Sequence, residues 1–145
     1  MPLLNVPHVA VRGMAACVPP DTEATRDIEF YGSPEEAANV EAATGVVRRH
    51  VVRGSGITGA DLCIRAAERL LDALGWERDT IDLIVNVTQT SDYINHPNVF
   101  VAHERLGLKS DCMSLDLYHG CPGWVAGLMS ASSLLRSLKL PQRTF

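Results

Sequence analysis

The sequence predicts an α/β fold in which a parallel-rich sheet is layered with helices. Segments with a helical spacing of apolar residues alternate with short apolar segments typical of strands, and the connections between them are brief. The clearest strand, residues 81–87, is almost wholly apolar, as expected for a strand covered on both faces. This alternation favours parallel strands joined by right-handed helical crossovers.

The composition is that of one compact globular domain, which we expect to span residues 1–145. Of the 145 residues, 46% are hydrophobic and 21% are charged, which is normal for a chain that buries a core. The formal net charge is -4 and basic residues are not clustered, so we expect no nucleic-acid partner and no membrane partner. No signal-peptide pattern opens the chain, and no apolar stretch reaches the roughly 18 residues of a spanning helix. We therefore expect a cytoplasmic protein.

The first third of the chain is predicted to hold a strand, a helix and an extended segment. Residues 8–16 have the pattern of a first strand. Ser33 is a typical helix cap, Pro34 suits the first helical position, and the helix should end near Ala43. Residues 46–52 then have an extended pattern.

A longer helix and two strand–helix pairs are predicted to follow. Thr58 can cap the longer helix, and Gly75 should end it. The remaining elements are expected in the order strand, helix, strand and helix at residues 81–87, 97–106, 112–117 and 122–138.

Two segments follow the ends of the last two predicted strands, Thr88–Pro97 and Tyr118–Cys121. In a parallel sheet, functional residues gather at the carboxyl ends of the strands. Within the first segment, Asp92, Tyr93 and His96 either line the mouth of a binding site or belong to a solvated loop.

Cys121 is the candidate nucleophile. Gly120 permits a sharp turn with unusual dihedral angles, and Pro122 suits the first turn of the helix that follows. Cys121 would then lie at or beside a helix N-terminus, where unpaired amides and the helix dipole favour the reactive thiolate. Gly123 would let a second chain or a ligand approach closely. The local pattern alone also fits a cysteine that is simply packed in the core.

The other candidate residues have weaker patterns. His119 should point away from Cys121, so we do not pair the two as base and nucleophile. Arg48 and Arg49 either contact phosphates or lie on the surface. No C-x-x-C pair is present, so we expect no metal site. The remaining cysteines are expected to be core thiols: Cys17, Cys63 and Cys112.

Several motifs occur in the order in which one enzyme family has them. Residues 43–50 (ATGVVRRH) are similar to an Arg-Thr-Gly-Ile-x-x-Arg-His signature, and residues 81–85 (IDLIV) to a strand that precedes Thr-x-Thr and Pro. The segment around Cys121 resembles an active-site stretch that opens a buried helix, with Trp124 as an aromatic core residue. Together with residues 9–19, these motifs resemble the N-terminal half of β-ketoacyl-acyl-carrier-protein synthase III enzymes, a group in the thiolase-like superfamily.

The resemblance implies a thiolase-like α/β fold and an acyltransferase of fatty-acid or related biosynthesis. Cys121 would accept an acyl group from acyl-coenzyme A or acyl-carrier protein, with no bound cofactor and no metal. A carbanion made by decarboxylating malonyl-carrier protein would then attack the acyl-enzyme. Thr44 and His96 match positions implied in substrate binding. The implied partners are acyl-carrier protein and either a second copy of the chain or a complementary condensing-enzyme subunit.

The resemblance also implies that the chain is incomplete relative to the family. The family's catalytic His and Asn lie in a second half, and we expect this chain to be truncated within the next core strand, at residues 141–145. Such a chain would be acylated but would not condense alone. The alternative is a truncated or degenerate non-catalytic module that pairs with a condensing-enzyme partner. Asn39 and Ala43 replace the family's coenzyme-contacting Trp and Arg, so acyl-carrier protein or another thioester is an open choice of donor.

Overall fold

A computed structural model describes residues 5–137. The chain divides into two compact units, one formed by Cys17–Thr58 and the other by the flanking residues, of which 5–16 and 59–137 are described. The expectation of a single domain over residues 1–145 stays a prediction.

The unit Cys17–Thr58 is built around one small antiparallel strand pair and one helix. Strand β1 (Thr22–Ala24) pairs with strand β2 (Arg48–His50), and helix α1 (Pro34–Thr44) lies between them in the chain. The side chain of Thr25 is fully buried, and its hydroxyl donates to the carbonyl of Val46 at 2.6 Å. The extended pattern at residues 46–52 is thus confirmed only over β2.

Helix α1 begins and ends where its local sequence indicates. The hydroxyl of Ser33 accepts a hydrogen bond from the amide of Glu36 at 3.1 Å, and Pro34 takes the first helical position. Gly45 ends the helix in the left-handed conformation, with φ of 72°. The predicted helix from Ser33 to Ala43 is confirmed.

The larger unit contains the alternating helices and strands that the sequence predicts. In chain order these are α2 (Gly59–Leu74), β3 (Leu83–Thr88), α3 (Asn98–Arg105), β4 (Met113–Tyr118) and α4 (Gly123–Ser137). Gly75 and Gly107 follow α2 and α3 with φ of 63° and 64°, respectively. The expected extension of the last helix to Leu138 and the strand expected at 141–145 lie outside the described residues.

Strands β3 and β4 are parallel, as the alternation predicts. Their register places Asn86 opposite Asp116 and Thr88 opposite Tyr118. Both strands therefore end side by side, and the segments that follow them leave the same edge of the sheet.

Helices cover the two faces of this strand pair. Ile84 of β3 packs against a buried cluster that includes Ile64 of α2 and Ala102 of α3. Val87 contacts α4 instead. Because side chains alternate between the faces of a strand, residues 84 and 87 lie on opposite faces. The larger unit is thus layered, with α2 and α3 on one face and α4 on the other.

Helix α4 approaches β3 closely because two of its residues lack side chains. A Cβ atom on Gly123 would lie 2.6 Å from Val87 Cγ1, and one on Gly127 would lie 2.8 Å from Val87 Cγ2. Gly123 and Gly127 are one helical turn apart, so both meet the same strand residue. The prediction that Gly123 admits a second chain or a ligand is wrong, because Val87 of the same chain occupies that space.

Three expectations from the sequence are not met. Residues 8–16 form no strand; Val11 is 65% exposed, and no ladder partner for the segment exists among residues 5–137. Trp124 is 61% exposed rather than in the core. Cys63 is exposed on α2, so it is not a core thiol.

Across residues 5–137, none of the helices is both long enough and apolar enough to cross a membrane.

We expect Gly127→Ala to lower the free energy of unfolding by about 1–3 kcal/mol, because the new Cβ would overlap a β-branched side chain that cannot easily move. Intrinsic helix propensity acts in the opposite direction, since alanine is better than glycine in a helix interior by about 1 kcal/mol. Urea unfolding followed by circular dichroism measures the net effect.

The matched control is the same substitution in a Val87→Ala background, where the methyl group has room. There Gly127→Ala should be neutral or stabilising. If Gly127→Ala did not destabilise the otherwise unaltered protein either, the close contact between α4 and β3 would be wrong.

Candidate active site

Cys121 lies in a tight turn between β4 and α4. The amide of Gly123 donates to the carbonyl of Gly120 at 2.8 Å, which closes the turn around Cys121 and Pro122. The carbonyl of Pro122 accepts the first helical hydrogen bond, from Ala126 at 3.1 Å. The thiol is exposed. Cys121 therefore lies two residues before α4, with its side chain accessible to a reactant.

A main-chain hydrogen bond fixes this turn to the edge of the sheet. The amide of His119 donates to the carbonyl of Thr88, the last residue of β3, at 3.1 Å. Cys121 is thereby placed at the carboxyl edge of the strand pair, next to the segment that leaves β3. The side chain of His119 is exposed, and its Cβ lies 3.2 Å from where a Cβ on Gly123 would stand.

Gln89 lies against the turn that carries Cys121, although no sequence pattern predicted it as a site residue. Its side-chain Oε1 is 2.8 Å from the position that a Cβ on Gly120 would take. Gly120 does not adopt a left-handed backbone. The glycine makes room for a neighbouring side chain. The sequence signal that could have indicated Gln89 was its position as a polar residue directly after an apolar strand.

The segment after β3 is held in place by Asp92. Its two carboxylate oxygens accept hydrogen bonds from the amides of Gly59 and Ala60, both at 2.9 Å, at the N-terminus of α2. The amide of Asp92 donates to the side-chain oxygen of Asn98, which is buried. Asp92 therefore binds a helix end within the unit and anchors the segment after β3 to it.

Asp116 anchors the start of α3 to the sheet. Its Oδ1 accepts from the side-chain amide of Asn86 at 2.8 Å and from the backbone amide of Val99 at 3.2 Å. The same carboxylate thus joins both strands and a helix N-terminus.

Tyr93, Ile94 and His96 form the exposed tip of the segment after β3. The side chain of Ile94 is fully exposed, and the rings of Tyr93 and His96 meet edge to face with centroids 6.4 Å apart. The accessible position of His96 is compatible with the expected contact to an acyl group, and that role stays a prediction.

Thr44 lies in the other unit, at the end of α1. Its hydroxyl donates to the carbonyl of Val40 at 2.7 Å and accepts from the amide of Val46 at 3.2 Å. These bonds stabilise the turn at Gly45. A role of Thr44 in substrate binding likewise stays a prediction.

The two arginines of the same unit have protein partners. Arg48 donates to the hydroxyl of Thr22 at 2.8 Å. Arg49 donates to the hydroxyl of Tyr31 at 2.9 Å and lies over its ring. Of the two guanidinium groups, that of Arg48 is the more exposed.

The four cysteines differ in their access to solvent. Cys121 and Cys63 are exposed, Cys17 is half-buried, and Cys112 is buried. Burial raises the pKa of the Cys112 thiol, because the thiolate would lose its hydration. Cys112 therefore fits the expected core thiol.

Comparisons with known proteins give a consistent relationship. No family model matches the chain. The β-ketoacyl-acyl-carrier-protein synthase III of Neisseria meningitidis serogroup C is 32% identical over 98 residues, which cover 68% of this chain and 30% of that protein. The chain thus spans about a third of the length of the curated relatives it matches.

Solved structures place the fold in the same group. A 3-oxoacyl-(acyl-carrier protein) synthase from Burkholderia xenovorans superposes with a TM-score of 0.76 and 30% identity, covering 86% of this chain and 36% of that one. The chain is a relative of the synthase III enzymes, with part of the thiolase-like fold. A 3-oxoacyl-(acyl-carrier-protein) synthase III matches at a TM-score of 0.76 and 28% identity, over 88% of this chain and 38% of that one. OleA of Xanthomonas campestris shares the fold at a TM-score of 0.75 and 19% identity, over 88% of this chain and 39% of OleA. The predicted thiolase-like α/β fold of this synthase III relative is therefore confirmed.

We expect Asp92→Ala to destabilise the larger unit by about 0.5–2 kcal/mol, because two amides at the start of α2 lose their acceptor. Asp92→Asn keeps one acceptor oxygen and should cost less. Urea unfolding measures the stability, and hydrogen exchange at Gly59 and Ala60 reports the local effect.

Asp72→Ala is the matched control, because it removes an exposed carboxylate from the same helix. Its effect should stay within roughly 0.5 kcal/mol. Unchanged exchange rates at Gly59 and Ala60 in Asp92→Ala would show that the carboxylate does not hold this helix end.

Proposed function

We propose that this chain carries the acyl-accepting nucleophile, Cys121, of a β-ketoacyl-acyl-carrier-protein synthase III-type acyltransferase. The observation that carries the proposal is the exposed thiol in the turn between β4 and α4, at the carboxyl edge of a parallel strand pair. The relationship to synthase III proteins in both sequence and fold supports it.

In the proposed first step, the thiolate Sγ of Cys121 attacks the carbonyl carbon of an acyl thioester. The new carbon–sulfur bond gives a tetrahedral oxyanion, whose collapse breaks the bond to the donor sulfur, and the departing thiolate of coenzyme A or the carrier protein takes up a proton from solvent. Covalent transfer of this kind divides one difficult reaction into two easier ones. Backbone amides at the turn, including that of Cys121, are the candidate donors to the oxyanion.

The second step, decarboxylative condensation with malonyl-carrier protein, is proposed for a protein that also contains the remainder of the synthase III fold. This chain spans 30% of its curated relative, so that step draws on groups beyond the residues described. Acyl-carrier protein is the proposed partner, with a second copy or a complementary condensing-enzyme subunit, in the cytoplasm. Thr44 and His96 are proposed to contact substrate, with no bound cofactor or metal. Both units are proposed to belong to one thiolase-like domain.

Incubation of the 145-residue chain with acetyl-coenzyme A or acetyl-carrier protein should add one acetyl group, because Cys121 presents an accessible thiol. Intact-protein mass spectrometry measures the adduct, and peptide mapping locates it. Cys121→Ala should abolish the gain in mass.

Cys63→Ala is the control, since Cys63 is the other exposed cysteine in the part of the chain that the structure describes. It should acquire the adduct as the unaltered chain does. Acetylation that persists in Cys121→Ala, or no adduct from either donor, would rule out the proposed role of Cys121.

A second candidate function is a non-catalytic module that pairs with a condensing enzyme. The face of α4 directed away from Val87 carries four exposed apolar side chains: Trp124, Val125, Leu128 and Met129. A helix that is apolar on both faces is normally buried on both. This surface, the outer face of α4, favours association with another polypeptide.

If the chain is a non-catalytic module, we expect it to bind a full-length synthase III in sedimentation-velocity experiments. Cys121 should then carry no acyl adduct. Val125→Glu should weaken that binding, because it places a charge in an apolar contact. Arg69→Glu, an equivalent change on the exposed side of α2, should not. A chain that stays monomeric in the mixture would eliminate the pairing function.

A further inference from the structure

The side chain of Gln89 lies across the backbone of Gly120, one residue before the proposed nucleophile. Gln89 follows the last residue of β3, and its Oε1 lies 2.8 Å from the position of a Cβ on Gly120, with its Cδ at 3.9 Å. No other described residue outside the turn comes within 4 Å of that position. The space left by the missing side chain of Gly120 is thus occupied by one neighbour, the carboxamide of Gln89.

Backbone conformation does not demand a glycine at this position. Six glycines between residues 5 and 137 have a positive φ, and Gly120 is not among them. An alanine could adopt the same backbone, but its methyl group would displace the carboxamide. The absence of a side chain at Gly120 therefore lets the carboxamide of Gln89 lie beside the Cys121 turn.

The carboxamide of Gln89 makes no hydrogen bond with any residue in the range 5–137. Two other side-chain amides of this unit do make hydrogen bonds: Asn86 donates to Asp116, and Asn98 accepts from the amide of Asp92. Gln89 is exposed, so its N–H donors and its carbonyl acceptor are open to a ligand. Gln89 is thus a polar side chain beside the turn that takes no part in the hydrogen bonds holding the described part of the chain.

We propose that Gln89 is a specificity-determining residue that hydrogen-bonds an amide group of the thioester donor as the donor approaches Cys121. The inference rests on the proposed function, since it needs a thioester at Cys121. Coenzyme A and carrier-protein donors share a pantetheine arm, in which an amide lies two carbons from the thioester sulfur. A carboxamide is complementary to such an amide because each offers both a donor and an acceptor.

The experiment compares two small acetyl donors with the 145-residue chain. S-acetyl-N-acetylcysteamine carries the amide, and S-ethyl thioacetate lacks it. The measured quantity is the ratio of their second-order rate constants for acetylation of Cys121. In Gln89→Ala this ratio should fall roughly two- to tenfold, the range expected for one neutral hydrogen bond.

Gln89→Met is the matched variant, because it keeps the length of the side chain but cannot hydrogen-bond. It should lower the ratio as much as Gln89→Ala. Gly120→Ala should also lower it by displacing the carboxamide, and combining it with Gln89→Ala should add no further loss. A ratio that Gln89→Met preserves, or that all three single variants preserve, overturns the role of Gln89.

Failure of the role of Gln89 can be distinguished from failure of the proposed acylation of Cys121. Acetylation of Cys121 with a ratio that does not depend on Gln89 overturns this inference and supports the proposed function. No acetylation of Cys121 in the unaltered chain overturns both. Parallel rates with acetyl-coenzyme A and acetyl-carrier protein show which source of the pantetheine arm the chain prefers, and Gln89→Ala should slow the preferred donor.

Discussion

The contact of α4 with Val87 is the constraint on which the arrangement at Cys121 depends. Gly123 and Gly127 allow the helix backbone to reach the strand, with no intervening side chain. Packing of this kind leaves little freedom for the helix to slide, because any shift would bring a larger residue onto Val87. The start of α4 is therefore fixed against β3, and the turn that precedes the helix is fixed with it.

Hydrogen bonds from polar groups also fix the helix ends and the turn at the edge of the sheet. Asp116 binds the start of α3, Asp92 binds the start of α2, and the His119–Thr88 hydrogen bond ties the turn to β3. Two of these bonds use a carboxylate at a helix N-terminus, where unpaired amides and the helix dipole favour negative charge. The edge of the sheet is thus a set of anchored helix ends, and Cys121 is left accessible among them.

Sequence patterns predicted the features that local chemistry determines. Ser33 with Pro34 marked the start of α1, and Gly75 marked the end of α2, because caps and left-handed residues act within one turn. The alternation of elements gave the parallel pair β3–β4. The position of Cys121 in a strand-to-helix turn followed from the glycine and proline that flank it.

The features that were not predicted depend on contacts between distant residues. Gln89 and Asp92 are polar residues in a loop, and their partners at Gly120, Gly59 and Ala60 cannot be read from neighbouring positions. Trp124 is a residue type common in protein cores, but in α4 it is exposed. Periodicity indicates that a helix has an apolar face without indicating which face the sheet will cover.

The bonds that shape the carboxyl edge also have a consequence for how the protein is made. Asn86 and Asp116 are 30 residues apart in the chain, and Gly59 and Asp92 are 33 apart. Loop closure over such separations precedes any gain from the contacts, so they form slowly compared with a local turn. During synthesis on the ribosome, the thiol of Cys121 leaves the exit tunnel before α4 can dock on Val87. The turn that carries Cys121 therefore has no fixed position against β3 until α4 has been made and has docked.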